Sequence, residues 1–316
     1  MPTTMYTQDE VDALLDGMYS RDEIDAYISG LQQQIDGVKK PNVPPPAGKI
    51  IGSGDMQAFR GMRISGHRTY NGFGAQRQFN PKGALALVQA DLAAGRKSYQ
   101  SVGFGNNKAH PKDGPQDFPD TLTGLPVDQF VPVWKVVQQT GGVAIIHHEP
   151  EDDPGTPAKF KNIFPIMSKY IKQQVPGIRV GLCLMAWTGR QGGPGFQTWT
   201  PDPASFDVFC IDGYAHQVGD TAQQLFGNAL AYARSLKKPL MITETGQENN
   251  VDQIPFLASL DSFVQQNADV EGFLYWNGGN GIQAKGGHNY HLQSDALAVF
   301  GQLVGAGKYA QSTLAV

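Results

Sequence analysis

The chain is short of basic charge, of cysteine and of long apolar runs, and these shortages exclude several classes of protein. It has 25 Lys and Arg against 29 Asp and Glu, a formal net charge of −4. Neutralising nucleic-acid phosphates needs clustered Lys and Arg, so no nucleic-acid partner is expected. No stretch approaches the roughly 18 consecutive apolar residues of a membrane-spanning helix, so no membrane partner is expected either.

The N-terminal residues and the two cysteines add further expectations. Residues 1–10 lack a basic segment followed by an apolar one, which predicts a soluble protein without a signal peptide of its own. Cys183 and Cys210 each lie inside an apolar run. Two buried free thiols are therefore expected rather than a disulfide, although adjacent strands could bring them close.

Glycine and proline, in contrast, are plentiful, with 38 and 21 residues, which suits a fold with many tight connections. Beyond residue 48, short apolar runs alternate with longer amphipathic ones, the pattern of βα units around a parallel sheet. The predicted strands are Lys49–Ser53, Met62–His67, Lys97–Val102, Val143–His148, Arg179–Trp187, Asp207–Tyr214, Leu240–Thr243 and Gly272–Trp276. The clearest predicted helices are Pro81–Ala94, Pro126–Gln139, Pro157–Gln174, Thr221–Leu236, Val251–Gln266 and Ser294–Val304.

Eight strands alternating with helices predict an α/β fold, a (β/α)8 TIM barrel over residues 49–316. A doubly wound sheet is the alternative, but its first βα turn should carry a Gly-x-Gly-x-x-Gly run, which is missing here, and no cofactor is expected. Functional side chains of a TIM barrel lie at the C-terminal ends of its strands. The predicted ends carry polar and aromatic residues: His67, Arg68, His148, Glu149, Trp187, Asp212, Tyr214, Glu244, Trp276 and Asn277.

A separate arm precedes the barrel. Tyr-Thr-Gln-Asp-Glu-Val-Asp-Ala at 6–13 recurs as Tyr-Ser-Arg-Asp-Glu-Ile-Asp-Ala at 19–26, and each copy contains a helix capping box. Apolar residues then follow coiled-coil spacing at Ile24, Ile28, Leu31 and Ile35. We predict a helical, coiled-coil-like oligomerisation arm over 1–38 and a stiff Pro-rich linker over 39–48. The alternative is a pair of short helices folded onto the barrel.

Two of the apolar runs end in a glutamate. Glu149 follows the fourth predicted strand and Glu244 follows the seventh. These strands lie roughly across a barrel mouth from one another, so the two carboxylates could face each other over a cleft. Glycoside hydrolysis uses such a pair, at about 5 to 5.5 Å separation in retaining enzymes. Aromatic rings at other strand ends suit stacking on sugar faces: Trp187, Tyr214 and Trp276.

The surroundings of Glu149 leave two questions open. The acidic residues Glu151, Asp152 and Asp153 would raise the pKa of Glu149 by like charge if they pointed inward, but they could simply face water. Together with His147 and His148 they also supply metal-ligand types. Adjacent strand residues point to opposite faces, however, and no His-x-x-x-His pair occurs, so no metal site is predicted.

Four short motifs resemble those of clan A glycoside hydrolases, most nearly the family 26 β-mannanase group: His-Glu after strand four, Phe-Cys-Ile-Asp-Gly-Tyr in strand six, Glu-Thr-Gly after strand seven and Tyr-Trp-Asn at strand eight. The resemblance implies a retaining enzyme with Glu149 as general acid/base and Glu244 as nucleophile. The residue before the acid/base is usually Asn in the clan and His in family 26; here it is His148.

The same resemblance implies roles for other residues. Tyr214 matches the strand-six tyrosine that contacts the nucleophile, Trp276 the platform under the reactive sugar, and Arg68, more loosely, a strand-two arginine. With His148 and Trp187 these are the predicted substrate-binding residues. His147, on the opposite face from His148, is expected to hydrogen-bond within the barrel wall.

The arm repeat resembles segments that recur in bacteriophage tail fibres and minor tail proteins. This implies a virion-tail location, homo-oligomerisation and other tail proteins as partners. The predicted function is a phage tail-associated, endo-acting, retaining glycoside hydrolase of a host-surface polysaccharide. The alternatives are a catalytically inactive barrel with a glycan-binding or structural tail role, and, less favoured, a metal-dependent hydrolase. Burial of Glu149 or Glu244 in a salt bridge, or a carboxyl separation far beyond about 10 Å, would favour the inactive barrel.

Overall fold

The computed structural model of the chain describes residues 48–54, 56–72, 79–104, 118–147, 157–278 and 288–316. The predicted arm over 1–38 and the linker up to residue 47 lie outside the described residues. So do residues 148–153, which include His148, Glu149 and the three acidic residues that follow. The predictions made for these segments therefore stay predictions.

Eight parallel strands close into a barrel in sequence order, and the first strand pairs with both the second and the eighth. This confirms the predicted (β/α)8 TIM barrel. The strands are β1 (Ile50–Ser53), β2 (Gly66–Gly72), β3 (Lys97–Gly103), β4 (Val143–His147), β5 (Arg179–Met185), β6 (Val208–Ala215), β7 (Leu240–Gln247) and β8 (Val270–Tyr275).

Helices follow most of the strands. They are α1 (Pro81–Ala93), α2 (Val131–Gln139), α3 (Pro157–Gln174), α4 (Phe196–Trp199), α5 (Ala222–Ser235), α6 (Ile254–Gln266) and α7 (Ser294–Gly305). The start of α5 shows why these sequences become helical, since Thr221 and Gln224 form a capping box that satisfies the first backbone N–H groups. Within the part of the chain that the structure describes, no helix has both the length and the hydrophobicity that crossing a membrane requires.

The predicted strand two is misplaced. It runs over Gly66–Gly72 rather than Met62–His67, and only a short 3-10 turn is described between β1 and β2. The strand shows no apolar periodicity because both of its faces carry polar side chains. His67 points outward and its Nδ1 lies 2.9 Å from a carboxylate oxygen of Asp91 in α1, while Arg68 points into the barrel. His67 is thus a structural residue outside the mouth.

Two other predicted C-terminal strand ends differ from the observed ends by more than one residue. Strand β5 stops at Met185 instead of Trp187, because Ala186–Gly189 forms a 3-10 turn. Strand β7 continues past Thr243 to Gln247, through a polar segment that hydrophobicity alone does not assign to a strand. The extension keeps the side chains near the mouth on a rigid element rather than on a loop.

A register shift between β6 and β7 places two carboxylates side by side. Ile211 pairs with Ile242, but the next β6 residue, Asp212, pairs with Glu244, so Thr243 is an extra residue on β7. Bulges of this kind re-aim side chains and are common near active sites. The hydroxyl of Thr243 donates to Asp212 at 2.7 Å, so Thr243 and Glu244 both face the barrel interior.

An apolar layer fills the barrel below the mouth. Its buried members are Ile50, Tyr99, Val143, Ile145, Cys183, Val208, Cys210, Met241, Leu274 and Ala310. Cys183 and Cys210 are register partners on β5 and β6, and both are free and buried, which confirms the expected thiols. Arg179 and Glu271, at the N-terminal ends of β5 and β8, form an ion pair. Polar groups therefore lie at both ends of the barrel, with the apolar layer between them.

Candidate active site

The guanidinium of Arg68 is the hub of the polar groups inside the mouth. Arg68 is fully buried on β2. Its Nη1 donates to Asp212 Oδ1 at 2.7 Å and reaches Glu244 Oε2 at 3.3 Å. Its Nε donates to Ser101 Oγ at 2.8 Å, and its Nη2 lies 3.6 Å from Cys183 Sγ. One buried cation therefore serves two carboxylates, and hydrogen bonds along the guanidinium fix its plane.

Electrostatics keep this arginine charged. Burial by itself lowers the pKa of Arg68, but the neighbouring charge of Asp212, with Tyr70, Cys183 and Glu244, outweighs it and raises the pKa well above its usual value. A buried charge without a partner would be strongly unfavourable, so the carboxylates and the guanidinium depend on each other.

Glu244 lies near the C-terminal end of β7 and is 9% exposed. Its Oε2 accepts a hydrogen bond from the hydroxyl of Tyr70 on β2 in addition to the bond from Arg68. Burial raises the pKa of Tyr70 well above its usual range, and the negative charges of Glu244 and Asp212 act in the same direction against the opposing effect of Arg68. The Tyr70 hydroxyl therefore stays protonated and donates a hydrogen bond to Glu244. Two donors on one oxygen orient the Glu244 carboxylate.

Asp212, the register partner of Glu244 on β6, contacts side chains from three other strands. Its Oδ1 accepts from Arg68 on β2 and from Thr243 on β7, and its Oδ2 is 3.6 Å from His147 Nε2 on β4. His147 is buried and faces the interior of the barrel at this level. Side chains from β2, β4 and β7 thus contact one carboxylate on β6, which restrains the base of the site, the layer of side chains around Asp212.

The group His147, Cys183 and Asp212 is close enough to be considered as a metal site, but its chemistry argues against one. The Arg68 guanidinium contacts both Cys183 and Asp212 and already supplies the positive charge. Burial raises the pKa of the Cys183 thiol well above its usual value, and a protonated thiol is a poor metal ligand. This group is therefore interpreted as structural.

Arg68, one of the predicted substrate-binding residues, has no exposed surface and reaches Glu244; its contact with a sugar stays a prediction. Its guanidinium points into the barrel, towards Asp212 and Glu244. Tyr70, two residues further along β2, was missed. Correct placement of β2 would have revealed it, because alternate residues of a strand share a face.

The predicted aromatic residues lie at separate places around the mouth. Trp276, directly after β8, packs edge-on against Tyr70 with ring centroids 5.7 Å apart. Tyr214 on β6 stacks on Tyr290 at 4.5 Å. The resemblance implied a contact between Tyr214 and the nucleophile, but among the described residues the tyrosine hydroxyl on Glu244 belongs to Tyr70.

Trp187 lies in the 3-10 turn after β5 and is half-buried. Its indole N–H is buried and has no hydrogen-bond partner within the described ranges. Of the seven predicted site residues, the structure thus brings Arg68 and Glu244 into contact and places Trp276 next to Tyr70. It leaves Trp187 and Tyr214 without a described contact to Glu244, and His148 and Glu149 lie outside the described residues.

Comparison with known proteins yields fold relatives only. No protein-family model and no curated protein matches the chain. Among solved structures, a GH26 β-mannanase from Bacteroides ovatus superposes with a TM-score of 0.56 at 14% identity, over 87% of this chain and 90% of that one. A β-mannanase from a symbiotic protist of the termite Reticulitermes speratus gives 0.53 at 15% identity, over 86% and 95%. Fungal β-1,4-galactanases give 0.54 at 13% identity, over 76% and 88%.

These identities are low, so the likeness establishes the barrel architecture and not the chemistry. The barrels are nevertheless those of glycoside hydrolases, including the family 26 group that the sequence motifs resemble. A fold shared among many enzymes leaves function to be argued from the site itself.

Proposed function

We propose that the chain is a retaining glycoside hydrolase in which Glu244 is the nucleophile and Glu149 the general acid/base. The observation that carries the proposal is the carboxylate of Glu244, which lies near the C-terminal end of a barrel strand and is oriented by Arg68 and Tyr70. This is the end of a TIM barrel at which catalytic groups are found.

The proposed reaction has two steps. In the first, Glu149 protonates the glycosidic oxygen while Glu244 attacks the anomeric carbon, so that the C–O bond breaks and a glycosyl ester forms on Glu244. In the second, Glu149 takes a proton from water, and the resulting attack on the anomeric carbon releases the sugar and restores the carboxylate. Glu149 ends each cycle protonated and Glu244 ends it ionised.

The contacts of Glu244 suit a nucleophile. Arg68 lies 3.3 Å from Oε2 and supplies positive charge that favours the ionised carboxylate. The Tyr70 hydroxyl bonds to the same oxygen and restricts rotation of the carboxylate. Preorganised donors around a reacting group lower the reorganisation that the reaction needs. An ionised, oriented carboxylate is what the first step requires.

The proposed substrate is a polysaccharide cleaved within the chain. The fold relatives include β-mannanases and β-1,4-galactanases, so a β-linked hexose polymer is the first substrate class to test. Trp276 packs against Tyr70 beside Glu244, where its ring could lie under the reactive sugar. His148, Tyr214 and Trp187 are proposed to contact neighbouring sugar units.

A second candidate function, an inactive glycan-binding or structural barrel, has one observation in its favour. Glu244 is largely buried and forms an ion pair with Arg68, the arrangement named above as a sign of inactivity. The closer partner of Arg68 is Asp212, at 2.7 Å, and Glu244 keeps some exposure. We therefore favour the active enzyme, in which Arg68 supports the nucleophile instead of masking it.

The repeat in the predicted arm supports a proposed place on a phage tail. There, several barrels joined through the arm would meet a host-surface polysaccharide together, with other tail proteins as neighbours. Linked sites bind more tightly than single ones because the later binding events are intramolecular. Weak binding of the polysaccharide by each barrel would then be enough for the linked barrels to bind the host surface tightly.

A panel of polysaccharides tests the enzymatic proposal. Wild type is expected to release new reducing ends from at least one glycan, and Glu149→Gln and Glu244→Gln are each expected to lose most of that activity. Unchanged hydrolysis by both variants would refute the assignment. Glycan binding without hydrolysis by wild type would favour the inactive barrel. Loss of activity with a chelator, together with unchanged hydrolysis by both Gln variants, would favour a metal-dependent hydrolase.

A further inference from the structure

Three side chains from three different loops meet on the rim of the mouth. His216 follows β6, Glu248 follows β7, and His288 lies between β8 and α7. The Nδ1 of His216 is 2.8 Å from Glu248 Oε1, and the Nδ1 of His288 contacts the same oxygen. The two imidazole rings are 4.6 Å apart between centroids. The Nδ1 atoms of two imidazoles thus contact the same carboxylate oxygen.

The backbone holds these loops together independently of the three side chains. The N–H of Glu248 donates to the carbonyl of Ala215 at 3.1 Å, which ties the β7 loop to the end of β6. The N–H of Asn249 donates to the carbonyl of Asn289 at 2.8 Å, which ties it to the segment carrying His288. The cluster is therefore set by the fold and not by a chance meeting of long side chains.

Packing and hydrogen bonds also restrain the two histidines. The carboxylate of Asp220 accepts from the backbone N–H of His216 at 2.8 Å. The ring of His288 stacks on Tyr290, with an interplanar angle of 26°. Tyr290 in turn stacks on Tyr214. Both imidazoles are thus held near Glu248, at a place where their side chains remain 41% and 57% exposed.

We propose that His216, Glu248 and His288 bind a divalent transition metal of the zinc type. Two imidazole nitrogens and one carboxylate oxygen are a donor set that zinc uses, with water in the remaining position. All three candidate ligand atoms lie within 4.8 Å of one another, close enough for one ion to reach them after small side-chain adjustments. The exposure of both histidines leaves room for the water.

The bound metal would join the loops after β6, β7 and β8 at the rim. It would hold Tyr290 against Tyr214, since His288 packs on Tyr290 and His216 follows the same strand as Tyr214. Within the described part of the chain, the hydrogen bonds of Glu244 and Arg68 given above involve none of the three ligands. The inference therefore stands apart from the hydrolysis proposed above, and a metal here organises the rim and takes no part in bond cleavage.

Direct metal binding by the full chain, prepared without a polyhistidine tag and freed of metal, tests the proposal. Titration with Zn²⁺ against a chromophoric chelator should show one tight equivalent per chain, and Co²⁺ should give the visible absorption of a site with nitrogen and oxygen ligands. His288→Ala and Glu248→Gln should each weaken Zn²⁺ binding at least about tenfold, because each removes one of three protein ligands.

His291→Ala is the matched control, since it removes a nearby histidine outside the cluster and should bind Zn²⁺ as wild type does. Circular dichroism of each variant checks that the fold is kept. Wild-type binding no tighter than that of a His216→Ala/His288→Ala double variant would overturn the proposal, as would an equal loss in His291→Ala. Because the readout is binding, its outcome is separate from the outcome of the polysaccharide panel.

Discussion

At the scale of single residues, the site depends on one buried cation shared by two carboxylates. Arg68 bonds to Asp212 and reaches Glu244. Desolvating three charged groups is unfavourable unless each has partners, and Ser101, Thr243 and Tyr70 each add a hydrogen bond to one of the three groups. The cluster is therefore interdependent, and removing one member leaves another buried without its partner.

The hydrogen bond from Tyr70 to Glu244 gives a sharp prediction. Bonds to charged groups contribute about 1.5 to 3 kcal/mol, so Tyr70→Phe should lower kcat roughly tenfold to hundredfold if the bond orients the nucleophile. KM should change little, because the hydroxyl acts on Glu244 and not on the sugar. Steady-state kinetics on a glycan hydrolysed by wild type measure both quantities.

Tyr232→Phe is the control for that substitution. Tyr232 lies on α5 and packs against Phe196 and Phe209, so its hydroxyl should be dispensable for catalysis. Equal kcat values for Tyr70→Phe and wild type would show that the bond does not serve catalysis. A rise in KM alone would place Tyr70 in substrate binding instead.

The sequence pointed to Glu244 as a candidate site residue but gave no sign of which side chains contact it. Glu244 stands out because a single carboxylate follows an apolar run. The contacts of Arg68 with Asp212 and Glu244 span three strands that are far apart along the chain. Such contacts leave no local pattern, so the role of Asp212 at the base of the site could not be predicted.

At the scale of elements, hydrophobic patterns located the strands that carry the core and misplaced β2, which carries Arg68 and Tyr70. Strand β4 is an apolar run with a polar end, and it begins at Val143 as predicted and runs to the last described residue of this segment, His147. Strand β2 is polar on both faces, because one face lines the mouth and the other bonds to α1 and β3. A strand of this kind has no apolar signal to read.

The bulge on β7 is another element that the sequence did not predict. Thr243 is the extra residue, and its side chain and that of Glu244 face inward together. A regular strand would send two successive side chains to opposite faces. The bulge therefore lets β7 present Glu244, the proposed nucleophile, and Thr243, which bonds to Asp212, from adjacent positions.

The predicted arm over residues 1–38 gives a prediction at this scale. Its coiled-coil spacing is a narrow apolar stripe that needs partner helices, so the full chain should self-associate. A chain starting at Gly48 should be a monomer with the same barrel. Multi-angle light scattering of the two proteins measures both masses, and two monomers would refute the oligomerisation arm.

At the scale of the whole molecule, the barrel follows from the count and order of its strands, and the function proposed for it rests on the side chains at one end of the barrel. Eight parallel strands in sequence order place every strand's C-terminal end at the same mouth. Sequence alone could therefore predict that Glu244 and Tyr214 belong to the same end of the fold. The identity of the sugar depends on loop positions that no local pattern fixes.

The central claim is that Glu244 forms a covalent bond with the sugar, and mass spectrometry of a trapped intermediate tests it most directly. Glu149→Gln should be mixed with an activated aryl glycoside of a sugar that wild type hydrolyses. The first step then needs no acid, while the second lacks its base, so the glycosyl-enzyme should accumulate. We predict a mass increase of one glycosyl unit on the peptide that contains Glu244. Aryl release without any adduct, or an adduct on another residue, would contradict the account.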